Sequence, residues 1–563
     1  MLVTRDTFKE SLARMRRDGS PWVDTETTGL RPFPGRGRPA DKVCGVAVLA
    51  CDESFYFPIR HSGGDNITDN QRAELMAALN ETECQGGHNY GFDIKAMTSD
   101  GLKLPKTIVD TMAGAHLYNE NDQKGLKYLG DKYLGANSSA ESEDLDKLLR
   151  MWGLSKDQMW RLPPEYVAAY AEQDVKLTKS LDFWLRDHLY DVSLYDEVSE
   201  FTRVLTRMEL TGIQLDLEHM AELRREASRN VRRLDVEILK VAGFPLNPAS
   251  PKQVSEWLRV QDSTEETLSR LNDPRALLIL EHRAWNKAIN TNYDRYLELA
   301  DLDGVLHCNM RGTGTVTGRL SSSDPNLQAV PRWSVQQRVR EVFIARPGKT
   351  FLELDYSQAE LRMLAHYTGD RNQIQGFMDG VDAHSTTAKA LGIERQLAKV
   401  INLAVNYGAG AQKLADQLNV PFGVARKHLE NYHKNFPKTR ETASLAARLA
   451  EQRGFVRGPS GRRRHLGGKD APVKDALQNL CQLGVACMVR KLMIEVERTI
   501  PQDQASQVLQ VHDSILLEVD PKAVKETYSA VRKMAIDQPW SSAPFEVDGK
   551  VGERWGLMEK YNG

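Results

Sequence analysis

The sequence predicts a multidomain α/β protein, and three observations carry that reading. At roughly 150 residues per packed unit, 563 residues imply three or four domains. Over the first 190 residues, short apolar runs such as Val43 to Leu49 alternate with helix-periodic stretches, the pattern of an α/β unit. Beyond residue 310, a strand ending in ELDYS, a helical stretch to about residue 450 and a hairpin-like segment at 508–519 describe a second mixed unit with a large helical insertion.

Composition narrows the class. With 41% hydrophobic and 27% charged residues, 40 glycines and 23 prolines, the chain is globular rather than disordered or collagen-like. No apolar run approaches the ~18 residues of a membrane span, and MLVTRDTFKESLARMRRDG has no apolar stretch long enough for a signal peptide. A cytoplasmic chain without membrane contact is expected. Cys44, Cys51, Cys84, Cys308, Cys481 and Cys487 include no C-x2-C pair, so neither a disulfide framework nor a zinc site is expected. The 75 basic and 77 acidic residues leave a net charge of −2, so a polyanion has to be bound by local patches.

Along the chain, the first unit contains an acidic, Ser-rich loop, SSAESEDLD, at 138–146. From 195 to 300 the apolar spacing turns helical, as in LYDEVSEFTRVLTRMELTG and LLILEHRAWNKAINTNYDRYLELA, with Gly212 as a helix stop. That spacing predicts an elongated helical hairpin.

The first chemical constellation is acidic. In PWVDTETTGL a strand sends Asp24 and Glu26 from one face, about 6.5 to 7 Å apart along the chain, a pair able to hold a hard cation. HNYGFD places Asn89, Phe92 and Asp93 after a strand and turn, and YAEQD sets Tyr170 four residues before Asp174, on one helix face. These three motifs, in this order, resemble the DEDD-type 3′→5′ exonucleases with a tyrosine in the third motif. The resemblance implies a two-metal phosphodiesterase with Asp24, Glu26, Asp93 and Asp174 as ligands and Tyr170 orienting the attacking water. Asp110, in VDTMAGAHL, reads as an acid at a strand end.

The second constellation lies in the C-terminal unit. KTFLELDYSQAELRMLAHYTGD begins as a strand alternating through Leu352 and Leu354 and becomes helical after Ser357, leaving Asp355 at the strand end. Ser357 and Glu360 also fit a capping box. In VLQVHDSILLEVD two apolar strands flank His512-Asp513-Ser514, which presents Asp513 at a hairpin tip. Between them, Arg395, Lys399, Leu403 and Tyr407 recur every fourth residue. Four residues advance about 400°, so they form one stripe spanning about 18 Å, cationic at one end and able to pack on base and sugar at the other. Gly408 and Gly410 are the expected helix stops.

DYSQAELR, R-x3-K-x7-YG and VHD in this order resemble motifs A, B and C of the family A, polymerase I-like DNA polymerases. TGRLSSSDPNLQAVP at 317–331, LNPASPKQV at 246–254, GRRR at 461–464 and VGERW support the likeness, which covers essentially the whole chain. It implies an RNase H-like exonuclease domain (1–190) followed by a right-hand polymerase domain: a thumb-like helical region (191–310), a first palm part with motif A (311–371), fingers with motif B (372–440), and a second palm part with motif C and the C-terminus (441–563). The layout is that of phage-like enzymes without a 5′-nuclease domain. The implied function is DNA replication by template-directed addition of deoxynucleotides to a primer 3′-OH, with proofreading.

Carried over residue by residue, the resemblance makes Asp355 and Asp513 ligands of two Mg²⁺ ions, with the Tyr356 carbonyl completing a shell and Mn²⁺ able to substitute. Arg395, Lys399 and His384 hold the triphosphate, and Lys399 is also placed to protonate the leaving group. Glu360 closes the space of a ribose 2′-OH, Leu403 lies against the nucleotide and Tyr407 beneath the templating base. Arg319, Asn326, Gln328, Gln482 and His512 contact primer-template DNA, the first three on its minor-groove side. Arg457, Arg462, Arg463 and Arg464 contact phosphates. Helicase, primase and single-strand binding protein are the partners implied, with the enzyme itself a monomer.

Two departures stand out. The family has an aromatic residue four places after the motif B lysine, where this chain has Leu403, and an acid after the motif C aspartate, where it has Ser514. They leave open a second function, an exonuclease whose inactive polymerase half only binds DNA. A single-subunit RNA polymerase is disfavoured by the bulk of Glu360.

Overall fold

The computed structural model describes residues 1–135, 140–330, 335–469 and 471–563. Its first 190 residues are organised by five strands, β1 (Trp22–Thr27), β2 (Val43–Ala50), β3 (Glu53–Pro58), β4 (Cys84–Gly87) and β5 (Thr107–Asp110), in the order β3-β2-β1-β4-β5. β1 pairs antiparallel with β2 and parallel with β4. Every residue of β2 is buried, because both sheet faces are covered. Alternation sorts the side chains. Val23, Val46 and Val48 join Phe8, Ile94 and Met97 in one core, while Trp22, Ala47 and Leu49 face the helix Pro164–His188 with Val167 and Ala171. Asp24 and Glu26 follow Trp22 at two-residue steps, so they lie on the face crossed by that helix. β4 can approach Trp22 closely only because residue 86 is glycine, since a Cβ there would come within 2.4 Å of the indole.

SSAESEDLD is not a loop from Ala140 onward but the start of the helix Ala140–Met151, and Ser138 and Ser139 lie outside the described residues. Leu145, Leu148 and Leu149, at helical spacing, pack into the Trp22 core, while the exposed Glu143 and Asp144 face water.

The helix Val192–Thr211 ends at Gly212, whose φ of +62° and N–H bond to the Met208 carbonyl close it, as its sequence predicts. β6 (Ile213–Leu215) follows, then the helix Leu217–Ala242, which packs against Pro274–Lys287. β7 (Val305–Leu306) pairs with β6, β8 (Asn309–Arg311) with β9 (Ser321–Ser323), and β10 (Phe343–Ile344) with the other edge of β6. β11 (Thr350–Tyr356) enters the second large sheet. Helices from Ala359–Thr368 to Pro437–Arg453 form the insertion, closed by the hairpin β12 (Phe455–Arg457) and β13 (Arg463–His465).

β14 (Ala505–Val511), β15 (Ser514–Val519), β16 (Val547–Gly552) and β17 (Glu559–Tyr561) complete an antiparallel sheet in the order β14-β15-β11-β16-β17. Its core runs through Leu352, Leu354, Leu516 and Leu517 to Met488 and Leu492 of the helix Ala476–Thr499. Among the described residues no helix is long and apolar enough to cross a membrane.

Candidate active sites

In the N-terminal half, Asp93 sits in the first turn of the helix Tyr90–Thr98 and accepts from the Thr25 N–H at 3.0 Å and the Thr25 hydroxyl at 2.6 Å. Thr25 separates Asp24 from Glu26, so these bonds bring the second motif onto the first. Tyr170 and Asp174, one turn apart on Pro164–His188, face them. Lys127 is ion-paired with Asp174, and the Lys127 and Lys156 ammonium groups lie 4.8 and 5.3 Å from the Tyr170 ring centre.

Four carboxylates share little water here. Burial, then repulsion from Asp93, Glu26 and Asp174, holds Asp24 well above the usual carboxylate range. Burial and Asp174 push Glu26 up to about 8, with Lys156 and Lys127 opposing. Asp93 rises to about 7 through burial, against the two Thr25 hydrogen bonds. Asp174 is also raised by burial, against Lys127. Among the described residues no three such side chains converge tightly enough to be a preformed metal cage. The excess of buried negative charge is nevertheless what a divalent cation relieves. Asp110 ends β5 and spends its carboxylate on the Asn89 and Met112 N–H groups, at 2.9 and 3.0 Å, as a helix cap.

In the C-terminal half, Asp355 is the penultimate residue of β11 and stands opposite Ser514 in β15, next to Asp513. The Tyr356 N–H donates to the Asp513 carbonyl at 3.3 Å, so the end of β11 and the β14–β15 turn bring the two aspartates side by side, both half-buried. The Tyr356 side chain points away, its hydroxyl donating to the Ala535 carbonyl at 3.0 Å. The hairpin tip is exposed at His512, whose φ is +57°. Ser514 is buried and its hydroxyl returns to the Val511 carbonyl at 3.0 Å.

On the helix Arg395–Asn406 the stripe Arg395, Lys399, Leu403 and Tyr407 is exposed, while Ala398, Ile401, Asn402 and Ala404 are buried. Gly408, with φ +62°, ends this helix, whereas Gly410 begins the next one, Ala411–Leu418. Arg395 reaches Asp382 at 3.1 Å, and Asp382 caps the helix Ala383–Leu391 through the His384 and Ser385 N–H groups. His384 is buried and accepts at Nδ1 from Asn402 at 3.1 Å, and burial lowers its pKa. Glu360 is not a capping-box acid: Gln358, with φ +53°, starts the helix Ala359–Thr368 without a side-chain cap. Its carboxylate instead pairs with Arg319 and accepts from Asn406 Nδ2 at 2.7 Å.

Residues 217–557 match DNA polymerase family A, and residues 3–189 match the 3′-5′ exonuclease domain found with it. The chain belongs to DNA polymerase family A. It is 35% identical over 400 residues to a thermostable DNA polymerase I from Thermus caldophilus, covering 64% of this chain and 48% of that protein. It is 29% identical over 613 residues to DNA polymerase I from Chloroflexus aurantiacus, covering 99% of this chain and 63% of that protein. It thus spans about half the length of the first relatives it matches. Its fold resembles the POL domain of Pol1 from M. smegmatis, solved with DNA primer-template and dNTP, at a TM-score of 0.81 and 23% identity over 99% of both chains.

The family A motifs do not behave alike. The helix carrying the motif B stripe is tied to the motif A helix by the Asn406–Glu360 bond, whereas two arginines of the basic cluster are buried. Arg462 and Arg464 are each 3% exposed. Arg462 donates to His116, Arg464 pairs with Glu120, and the Arg463 guanidinium lies 4.0 Å from the Tyr190 ring centre. This burial corrects the expected phosphate contacts of Arg462 and Arg464, whereas Arg463 is half-buried, its guanidinium lying against both Tyr190 and Phe455. Only Arg457 of the four is exposed. Asn326 uses its carboxamide oxygen on the Gln328 and Ala329 N–H groups, at 3.1 and 3.2 Å. Gln328 donates to Gln510 Oε1 at 3.0 Å, bracing the strand that leads to Asp513. Gln482 is half-buried on Ala476–Thr499, and Pro331, the last residue of the 317–331 motif, lies outside the described residues. Sequence reasoning missed Lys127, Lys156, Gln510 and His116. Gln510 lies in the motif C segment itself, three residues before Asp513, whereas the other three are brought into place only by the fold.

Proposed function

We propose that the chain is a template-directed DNA polymerase that extends a primer 3′-OH with deoxynucleotides and proofreads with a 3′→5′ exonuclease. One observation carries this reading. Asp355, near the end of β11, stands opposite Ser514 and so beside Asp513 in the β14–β15 turn, and Glu360, five residues beyond Asp355, ties that strand end through Asn406 to the helix with the exposed Arg395–Lys399–Leu403–Tyr407 stripe. On this reading residues 1–190 are the exonuclease, 191–310 the thumb, 311–371 and 441–563 the palm and 372–440 the fingers.

The donor sets fit hard cations: Asp355, Asp513 and the Tyr356 carbonyl in one site, Asp24, Glu26, Asp93 and Asp174 in the other. Two Mg²⁺ ions per site, or Mn²⁺ in their place, supply Lewis-acid stabilisation of the phosphoryl group. The chain's own groups do the rest. Arg395, released from Asp382, and Lys399 bind the triphosphate, and Lys399 gives a proton to the departing pyrophosphate oxygen. His384, neutral in its buried site, donates from Nε2 to a phosphate oxygen. Glu360 occupies the space of a ribose 2′-OH, and Tyr407 supports the templating base. In the exonuclease, Tyr170 orients water beside Asp174. Primer-template DNA and dNTPs are the ligands, read through Arg319, Gln328 and His512. The enzyme acts as a cytoplasmic monomer in replication, alongside helicase, primase and single-strand binding protein.

The test is a primer-extension gel on a 5′-labelled primer-template with Mg²⁺, with and without dNTPs, for wild type, Asp513→Ala and Asp24→Ala. Extension is expected to vanish only in Asp513→Ala, and primer shortening only in Asp24→Ala. A wild type that shortens but never extends would make the chain an exonuclease with a DNA-binding polymerase half.

A further inference from the structure

The three consecutive arginines of GRRRH each meet a partner in the first 190 residues. Arg462 donates to His116 Nδ1 at 2.8 Å. The Arg463 N–H donates to the Tyr190 hydroxyl at 2.9 Å. Arg464 and the His465 N–H both reach Glu120 Oε1, at 2.7 and 2.6 Å.

His116 differs from the other pins in that its second bond reaches the loop between β8 and β9. Its Nε2–H donates to the Thr315 carbonyl at 3.0 Å, while Nδ1 accepts from Arg462, which specifies the neutral ring with its proton on Nε2. The ring is 2% exposed, and burial followed by repulsion from Arg462 holds its pKa well below the usual histidine value. Thr315 lies in the loop between β8 and β9, and its hydroxyl donates to the Arg319 carbonyl at 2.7 Å. Arg462 supports the other side of the same loop. Gly318 has φ +76°, and a Cβ there would lie 3.1 Å from Arg462 Cζ. With glycine at 312, 314 and 318 the loop has little stiffness of its own, so its conformation has to come from what packs on it. One buried histidine therefore holds both supports of Arg319, and the Arg319 guanidinium grips Glu360 at the polymerase site.

We propose that His116 is a positioning residue for the polymerase site, and that the N-terminal domain is the mount of the loop carrying Arg319 as well as a site in its own right. This rests on the polymerase reading above. Losing the His116 bonds frees the Thr315 carbonyl and lets Arg462 move off Gly318, so Arg319 no longer presents a single direction to Glu360.

The test compares primer extension by wild type, His116→Leu, His116→Gln, Arg462→Met, Arg319→Ala and the His116→Leu/Arg319→Ala double variant. Degradation of a single-stranded 5′-labelled oligonucleotide by the same preparations reports on the fold of the N-terminal half. His116→Leu is expected to lower kcat/KM for extension about tenfold, because Arg319 both pairs with Glu360 and reads the primer-template. His116→Gln, which can accept from Arg462 and donate to Thr315, is expected to recover to within about threefold of wild type. The double variant is expected to extend no more slowly than Arg319→Ala alone, because the effect of His116 passes through Arg319. Extension by His116→Leu at the wild-type rate, or losses that multiply in the double variant, overturns the proposal. If His116→Leu loses the exonuclease as well, Arg462→Met decides: a tenfold loss supports the proposal and a wild-type rate overturns it. A wild type that degrades the oligonucleotide but never extends a primer overturns the polymerase reading, and this inference falls with it.

Discussion

Arg319 and Glu360, 41 residues apart in sequence, are ion-paired between the β8–β9 loop and the first turn of the helix Ala359–Thr368. Asn406 holds the second carboxylate oxygen, and Glu360 in turn raises the pKa of the Tyr407 phenol, after burial. Glu360 therefore has two separable properties, its bulk and its charge. Glu360→Ala removes both and is expected to raise ribonucleotide use relative to deoxynucleotide use by about a hundredfold, the scale of a relieved steric block. Glu360→Gln keeps the bulk and is expected to keep the discrimination while slowing extension. Single-nucleotide insertion with rNTP and dNTP separates the two, and a Gln variant as permissive as Ala would sink the steric account.

Leu403 is 39% exposed on the motif B stripe, where a ring would offer a flat surface to a nucleotide. Aromatic stacking is worth about 0.5–1.5 kcal/mol beyond area burial, so Leu403→Phe is expected to lower the KM for dNTPs by about two- to tenfold. Parallel kinetics with dideoxynucleotides show whether the sugar is sensed at this position. Unchanged constants for both substrates would mean that the side chain does not meet the nucleotide.

The Lys127 and Lys156 ammonium groups both lie against the Tyr170 ring, and the Tyr170 hydroxyl interacts with Asp174. Tyr170→Phe preserves the ring and is expected to slow exonuclease turnover at least about tenfold by loosening the attacking water. Extension on a matched primer should not change. Equal shortening rates for Tyr170→Phe and wild type would remove Tyr170 from the reaction.

Glu120 joins the two halves through Arg464 and His465. Burial pushes its pKa up, but the hydrogen bonds from His465 and Arg464 more than offset this, and the net shift is below the ordinary value of 4.5. A depressed carboxylate adds stability that is present above its unfolded value and is lost as pH falls through the folded one, so this joint is expected to weaken only in acid below 4.5. Glu120→Gln leaves Arg464 buried without its counter-charge and is expected to cost about 3–5 kcal/mol at neutral pH. Denaturant unfolding followed by exonuclease and extension activities checks both statements. A Gln variant as stable as wild type would show that the ion pair contributes nothing to the joint.

Much of both sites was legible in the residues. Period-two alternation places Asp24 with Glu26, and Leu352 with Leu354, leaving Asp355 at a strand end. A step of four places Arg395, Lys399, Leu403 and Tyr407 on one face. The structure bears this out because such patterns are local, set by strand and helix geometry within a few residues. The acidic segment at 138–146 misled for a related reason: its serines and acids suggest a loop, whereas Leu145, Leu148 and Leu149 carry a helical face that is buried by packing against the helix Pro164–His188 in the Trp22 core.

What a charged residue is used for was decided by the fold alone. GRRR reads as a basic patch, yet Arg462 and Arg464 are buried against His116 and Glu120, 346 and 344 residues away. Glu360 reads equally as a helix cap and as a wall of a nucleotide site, and only the arrival of Arg319 and Asn406 separates the two. The sequence by itself determined which side chains share a face, because backbone geometry is local. Only the tertiary structure decided which of them keep water and which are paired, because desolvation and ion pairing depend on what packs against that face.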